Sequence, residues 1–283
     1  MITDHFVQMF LANPHLADRP GVSFLSILTL TLFRVMPLIS LAPFFGGRVL
    51  PNPAKVGLGL AFFGILFPFQ VSSITTPLQY NHMLIALALK EGFIGLFMGF
   101  FMTIPFAVAE SAGIFIDHQR GGASLMVQDP TTQSQASPIG TLFNQVLIYL
   151  FFLVGGPFLF IETLLDSYRL VPLDQTISSI FFAKDGPFWS SVMLMYGKMM
   201  IMSIRMASPA LLMILMTDVF LGITNRLAPQ VQITFLGMPL KSYLGLAIVW
   251  LGWNTILKQF VSDAYNWVIH IRDIVNTLSA SGA

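Results

Sequence analysis

The sequence predicts an all-α membrane protein made of bent, proline-interrupted apolar helical hairpins with a long polar insert. Three observations carry that expectation. The chain is 55% hydrophobic and 10% charged, with a mean hydropathy of +0.77, whereas a water-soluble domain is about a quarter charged. The apolar residues gather into runs of membrane-spanning length. Between two of those runs lies a stretch of another character, Asp117 to Pro138, reading DHQRGGASLMVQDPTTQSQASP.

The runs are roughly Val22–Phe45, Val56–Ile74, Met83–Ala109, Ile139–Leu165, Phe188–Thr217 and Ser242–Leu257. A helix needs about 20 apolar residues to cross ~30 Å of hydrocarbon, which all but the last of these supply. Their all-round hydrophobicity, without alternation, favours helices over a barrel. Each long run contains a proline: Pro37, Pro68, Pro105, Pro157 or Pro209. Proline removes a helical hydrogen bond and crowds the preceding turn, and Gly155-Gly156 weakens the helix further beside Pro157. Bent or broken helices packed against protein are therefore expected. With no internal repeat, low-complexity tract or soluble domain in view, residues 1–283 read as a single domain. The N-terminus lacks a basic region and carries Asp4 and Asp18, so a cleavable signal peptide is not expected.

Charges inside the apolar runs are the next signal. Arg34, Lys90, Glu91, Lys198 and Arg205 lie within them, and Glu110, Glu162 and Asp218 lie at their edges. An ionisable group at the bilayer centre costs ~2.5–3.5 kcal/mol on insertion scales, so such groups face a partner helix or a wet cavity. Lys90 and Glu91 are helical neighbours pointing about 100° apart, and are not expected to pair with each other. Lys198 and Arg205 share one helix face. Gly92, Gly95 and Gly99 permit close helix approach. Met195, Met199, Met202, Met206, Met213 and Met216 also share one face. Methionine fills gaps or lines surfaces that re-pack, so Met199, Met202 and Met206 are read as helix packing or as a compliant seal. Lys and Arg are too evenly spread among the connections to fix an orientation.

Several classes are excluded. Net charge is +1, so no nucleic-acid partner is implied. Cysteine is absent, which removes disulfides and thiolate chemistry. There is no HExxH, GxSxG or Walker A pattern, and the histidines have no ligand spacing. Neither an enzyme nor a cofactor nor a metal is expected.

Three blocks of residues resemble the flagellar FliR family and its type III secretion counterpart, SctT. The first runs from Arg34-Val-Met-Pro37 through Pro43-Phe-Phe-Gly46-Gly47-Arg48-Val-Leu-Pro51. The second holds Glu91, Gly95, Gly99, Glu110, Gly113, Asp117, Gln119, Gly121, Asp129-Pro130 and Ser137-Pro138. The third holds Asp218, Gly222, Asn225-Arg226, Ala228-Pro229-Gln230, Phe235-Leu236-Gly237 and Pro239-Leu240-Lys241. The match runs in order over about residues 20–260. Gln232 departs from the Asn frequent in that family. The Pro-Leu-Lys form and short tail favour the injectisome branch.

The resemblance implies a structural subunit of the type III protein export gate in the bacterial inner membrane. Implied partners are the P/R-type, Q/S-type and B/U-type gate subunits, unfolded secreted proteins in transit, and membrane lipid. It implies that the insert is a plug reaching into the lumen, with Gln119, Arg120, Gly121, Gly122, Leu125, Met126, Val127 and Gln128 as lumen-loop residues. Gly121-Gly122 supplies backbone freedom, and Leu125-Met126-Val127 forms an apolar patch that could seat against a seal. Subunit packing or buried charge is assigned to Arg34, Glu91, Gly95, Gly99, Glu110, Asp117, Lys198, Arg205, Asp218, Arg226, Pro229, Gln230 and Lys241. The alternative is a secondary transporter with Lys90, Glu91, Lys198 and Arg205 at an intramembrane ion or substrate site.

Overall fold

The computed structural model describes residues 8, 10–47, 49–78, 81–121, 127–128, 135–176, 187–228 and 233–279. The described elements are mainly helical. A short α1 (Pro14–Ala17) precedes α2 (Pro20–Leu41), α3 (Asn52–Ser73) and α4 (His82–Gln119). A two-stranded antiparallel pairing, β1 (Val127–Gln128) with β2 (Gln135–Ala136), follows, with Val127 opposite Ala136 and Gln128 opposite Gln135. Then come α5 (Pro138–Leu153), α6 (Gly156–Leu170), α7 (Pro187–Leu227), α8 (Ile233–Leu251) and α9 (Trp253–Ser279).

Prolines open several of these helices. Pro20 begins α2 and Pro138 begins α5, where a missing N–H costs nothing and the fixed φ suits the first turn. Helix α2 stops at Ala42, held extended at ψ 117° because Pro43 follows it. Pro37, Pro68, Pro105 and Pro209 sit inside helices that continue through them. The sharp bends fall at glycines. Helices α5 and α6 meet at 75° across Val154–Gly155, where Gly155 takes φ 78°, a left-handed conformation that glycine adopts without penalty. Gly252 separates α8 from α9, whose bend is 64°.

Among the described residues, four helices are long and apolar enough to cross a membrane, or up to six if each bent pair counts as one span. That matches the apolar runs of the sequence in number and order. Their limits differ at several ends, and α8 begins at Ile233, ahead of Ser242. Helix α4 runs on to Gln119, so Asp117 and His118 belong to its last turn rather than to the insert. Helix α7 passes Thr217 and ends at Leu227. Beyond Leu257, α9 continues as an amphipathic helix, burying Phe260, Ala264, Trp267, Val268 and Ile271 while Lys258, Ser262 and Asn266 stay exposed. This amphipathic extension has too many polar residues to register as an apolar run.

The chain forms two compact units. The first comprises 1–103, 157–193 and 268–283. Its core includes Ile27, Leu30, Leu38, Leu66, Ile94 and Met98, with edge-to-face contacts of Phe160 to Phe44 at 5.3 Å and to Phe45 at 5.1 Å. The second comprises 104–156 and 194–267. It packs Phe106 on Phe151 at 5.5 Å and Phe143 on Phe260 at 5.4 Å. Such aromatic pairs add to simple area burial.

The glycine stripe of α4 meets α2 within the first unit. A Cβ at Gly95 would overlap the backbone carbonyl of Arg34, and one at Gly99 would lie 3.0 Å from Leu38 Cα. The backbones therefore touch without side chains between them. Gly95→Ala is expected to cost ~1–3 kcal/mol through overpacking. Gly57→Ala, at a site with nothing within 4 Å, is expected to be neutral or slightly stabilising. Thermal unfolding of the two variants in detergent checks the contrast.

Candidate functional site

Close approach at Gly95 places Arg34 beside Glu91, one helical turn earlier on α4. Both side chains are 0% exposed. Arg34 clamps the Glu91 carboxylate with two donors, Nε to Oε2 and Nη2 to Oε1, the latter at 2.9 Å. Its remaining reach is used as well. Nη1 donates to Ser167 Oγ at 3.1 Å, Nη2 to the Val171 carbonyl at 2.8 Å, and the guanidinium lies 4.0 Å from the Tyr168 ring centroid. A planar fork suits this geometry in a way that an ammonium could not.

Lys90 joins the same carboxylate. Its Nζ is 2.6 Å from Glu91 Oε1. It also donates to the carbonyls of Pro172 at 2.7 Å, Leu173 at 3.3 Å and Gln175 at 2.9 Å. The expectation that Lys90 and Glu91 do not pair is therefore wrong. Their Cβ atoms diverge, but the connection after α6 offers acceptors that draw the long lysine back to the point where Arg34 already holds Glu91. One carboxylate serves two cations. The carbonyls that follow α6, lying at the negative end of its dipole, accept the remaining donors.

The same connection is fixed from its other side by Asp174, which is 6% exposed. One carboxylate oxygen accepts from the Thr75 N–H at 2.8 Å, the Thr75 hydroxyl at 2.9 Å, the Thr76 N–H at 3.0 Å and the Thr76 hydroxyl at 3.2 Å. Burial pushes the Asp174 carboxyl up, but the hydrogen bonds from Thr75 and Thr76 outweigh it and hold the group below its ordinary value.

The second unit has its own buried carboxylate, at the root of the polar insert. Asp117 is 0% exposed. Oδ2 accepts from the Ser137 hydroxyl and, at 2.9 Å, from the Ile139 N–H. Oδ1 accepts from Arg120 Nε at 2.7 Å. Arg120 continues to Ser242 Oγ on α8 at 3.0 Å. Ser137 caps α5 by accepting from the Gly140 N–H at 3.0 Å, which satisfies one of the free donors of a helix start.

Other sequence-selected residues fall around these two centres. Gly121 ends the clamp with φ 87°, and Gln119 is half-buried. Val127 and Gln128 lie in the short strand pairing. Gly122, Leu125, Met126, Pro229 and Gln230 lie outside the described residues. Glu110 accepts from Asn144 Nδ2 at 3.3 Å. Asp218 and Lys241 form an ion pair, and Arg226 is exposed in the last turn of α7. On the methionine face, Met195 and Met206 are buried and Met199, Met202 and Met213 are half-buried, but Met216 is 61% exposed.

The four residues of the transporter alternative do not form one constellation within either unit. Lys90 and Glu91 are engaged in the first. Lys198 and Arg205 belong to the second, where Arg205 donates to both oxygens of Asp263 at 3.0–3.1 Å.

Sequence reasoning missed Ser167, Tyr168, Asp174, Thr75, Thr76, Ser242 and Asp263. Ser137 alone carried a local signal, a capping residue immediately before an apolar run that opens with proline.

Apolar helices of this length, two sharply bent pairs and charges sequestered in mutual contact define a multi-pass integral membrane protein. The chain belongs to the bacterial export proteins, family 1, whose sequence profile matches residues 25–266. It is similar to the secretion system apparatus protein SsaT of Salmonella typhimurium, 26% identical over 253 residues that cover 89% of this chain and 93% of the relative. The Yop proteins translocation protein T of Yersinia pestis is 28% identical over 269 residues, 93% and 96% of the two chains. The flagellar biosynthetic protein FliR of Bacillus subtilis is 27% identical over 212 residues, 75% and 80%.

Glu91→Ala leaves two buried cations without their carboxylate and is expected to cost ~3–5 kcal/mol. Arg205→Ala removes an exposed pair and is expected to cost about 1 kcal/mol or less. The ratio of folded, detergent-extractable protein for the two variants checks this. Because the Asp174 carboxyl is held below its ordinary value, its contribution is full well above the ordinary carboxylate value and is lost as pH falls through that value towards the folded-state one. The stability gap between the native protein and Asp174→Asn should therefore be constant from neutral pH down to about 5 and close on further acidification. A Tm series against pH reads it directly.

Proposed function

We propose that this chain is a structural, non-enzymatic membrane subunit of a type III protein export gate, helping to form and close the conduit for secreted proteins. The observation that carries the reading is the family match across residues 25–266, on a chain whose apolar helices leave extensive surface uncovered. Leu89 is 69% exposed, Trp250 76% and Leu227 80%. Apolar patches of that extent mark lipid or protein contact.

The partners we propose are the P/R-type, Q/S-type and B/U-type gate subunits, with unfolded secreted chains in transit through the assembly. The polar insert is assigned to closure of the conduit. Its support is its composition and its placement between the ends of α4 and α5, since a closing element has to meet water when it moves. Met199, Met202 and Met206 are assigned to a compliant packing layer. The injectisome branch is favoured by the Pro239-Leu240-Lys241 sequence, although the two secretion relatives and FliR stand at comparable identity.

Two measurements test this reading. Mild detergent extraction of a C-terminally tagged chain should yield a large complex containing several small, very hydrophobic membrane proteins. A monodisperse species without partners would contradict it. Deleting Gly121–Gln135 should leave assembly on native gels intact and make the closed gate leaky to ions. An unchanged leak with normal secretion would remove the closure role from the insert.

A further inference from the structure

We infer that Asp117 is the fixed root of the insert: one buried carboxylate pins both of its ends, and that clamp stays closed during transport. This rests on the closure reading given above. Ser137 lies 20 positions after Asp117 in sequence and Ile139 lies 22 after it, yet both donate to the same carboxylate oxygen. The departing strand of chain is held on the other oxygen, through Arg120. The two ends of the insert are therefore closed on each other at a side chain with no exposure to water.

The surroundings fit a part that stays still. A Cβ at Gly113 would overlap the backbone at Gly140, so α4 and α5 touch backbone to backbone beside the clamp. Arg120 extends the network to Ser242 on α8, and the adjacent Lys241 is paired with Asp218 on α7. The root is thus tied directly to α5 and α8, and α8 is in turn paired with α7. A buried carboxylate cannot lose its donors one at a time without being left charged and unsatisfied. The clamp therefore behaves as a unit, closed or broken, rather than as a yielding hinge. Beyond it, Gly121 in a left-handed conformation is the first position at which the chain can change direction cheaply.

The absence of cysteine permits a clean test in cells carrying the whole apparatus. In Asp117→Asn, the carboxylate loses its charge and its full set of acceptors. Closed-state ion leak should rise by roughly tenfold or more, as loss of charged hydrogen bonds shifts a two-state equilibrium, with assembly on native gels retained. Asp117→Cys combined with Ser137→Cys replaces the clamp by a bond that can be switched. Reduced, the pair should leak like Asp117→Asn. Oxidised, with bond formation verified by thiol labelling, it should be tight and should secrete at the native level. A tight reduced pair would overturn the inference. An oxidised pair that is tight but blocks secretion would also overturn it, since the root would then have to open. If Asp117→Asn fails to assemble, Ser137→Ala and the cysteine pair carry the test. Failure of the closure reading itself is separate: there the Gly121–Gln135 deletion is tight. A leaky deletion with a tight Asp117→Asn sinks only the role of Asp117.

Discussion

An ionised side chain buried among apolar helices has to find its partners within the protein. The cost of burying it alone is several kcal/mol, which is comparable to the whole stability of a folded domain. That constraint organises the first unit. Glu91 is held by Arg34 and Lys90, and both cations pass their spare donors to the connection after α6. Helices α2, α4 and α6 are therefore set relative to one another by the donor geometry of two side chains. Apolar packing alone would allow sliding. A bidentate guanidinium does not.

The glycines make this network possible. Gly95 removes the side chain that would separate α4 from α2 at Arg34, so the guanidinium meets Glu91 at hydrogen-bonding distance. The second unit repeats the logic with other residues. Gly113 faces Gly140, and the Asp117 carboxylate sits where the two backbones have been brought together. In both units a small residue sets the approach and a buried carboxylate fixes it. Dispersion supplies much of the contact energy between such helices, and the charges supply the register.

The sequence displayed the parts of this arrangement that depend on local chemistry. Apolar runs mark the spans because each must satisfy its own backbone. Arg34 and Glu91 stood out because a charge in such a setting is costly, whereas Asp117 was marked by opening the polar insert and by the family resemblance. The pairings were not legible, since they depend on which helices meet. Lys90 and Glu91 looked divergent because helical geometry fixes only their Cβ atoms, and a loop more than eighty residues away brings their heads together. Asp174 gave no signal, because an aspartate after a proline-containing turn is ordinary until Thr75 and Thr76 arrive beside it. Of the five prolines in the long runs, Pro157 alone marks a sharp break, beside the Gly155-Gly156 pair expected to weaken its helix. The other four lie within continuous helices, whereas the breaks fall at Gly155 and Gly252, where a left-handed φ or a missing side chain ends the helical path.

Helix α7 shows why the chain reads as a component rather than a self-sufficient channel. Leu194 and Leu227 are 61% and 80% exposed, and large apolar residues such as Ile201, Leu212, Phe220 and Ile223 are exposed between them. At 1.5 Å per residue these ends are about 50 Å apart along the helix. A bilayer offers ~30 Å of hydrocarbon, and even a 40° tilt would shorten the projected span only to about 38 Å. Lipid can cover part of that face but not all of it. The remainder calls for apolar protein surface running alongside, which neighbouring subunits of an export assembly would provide.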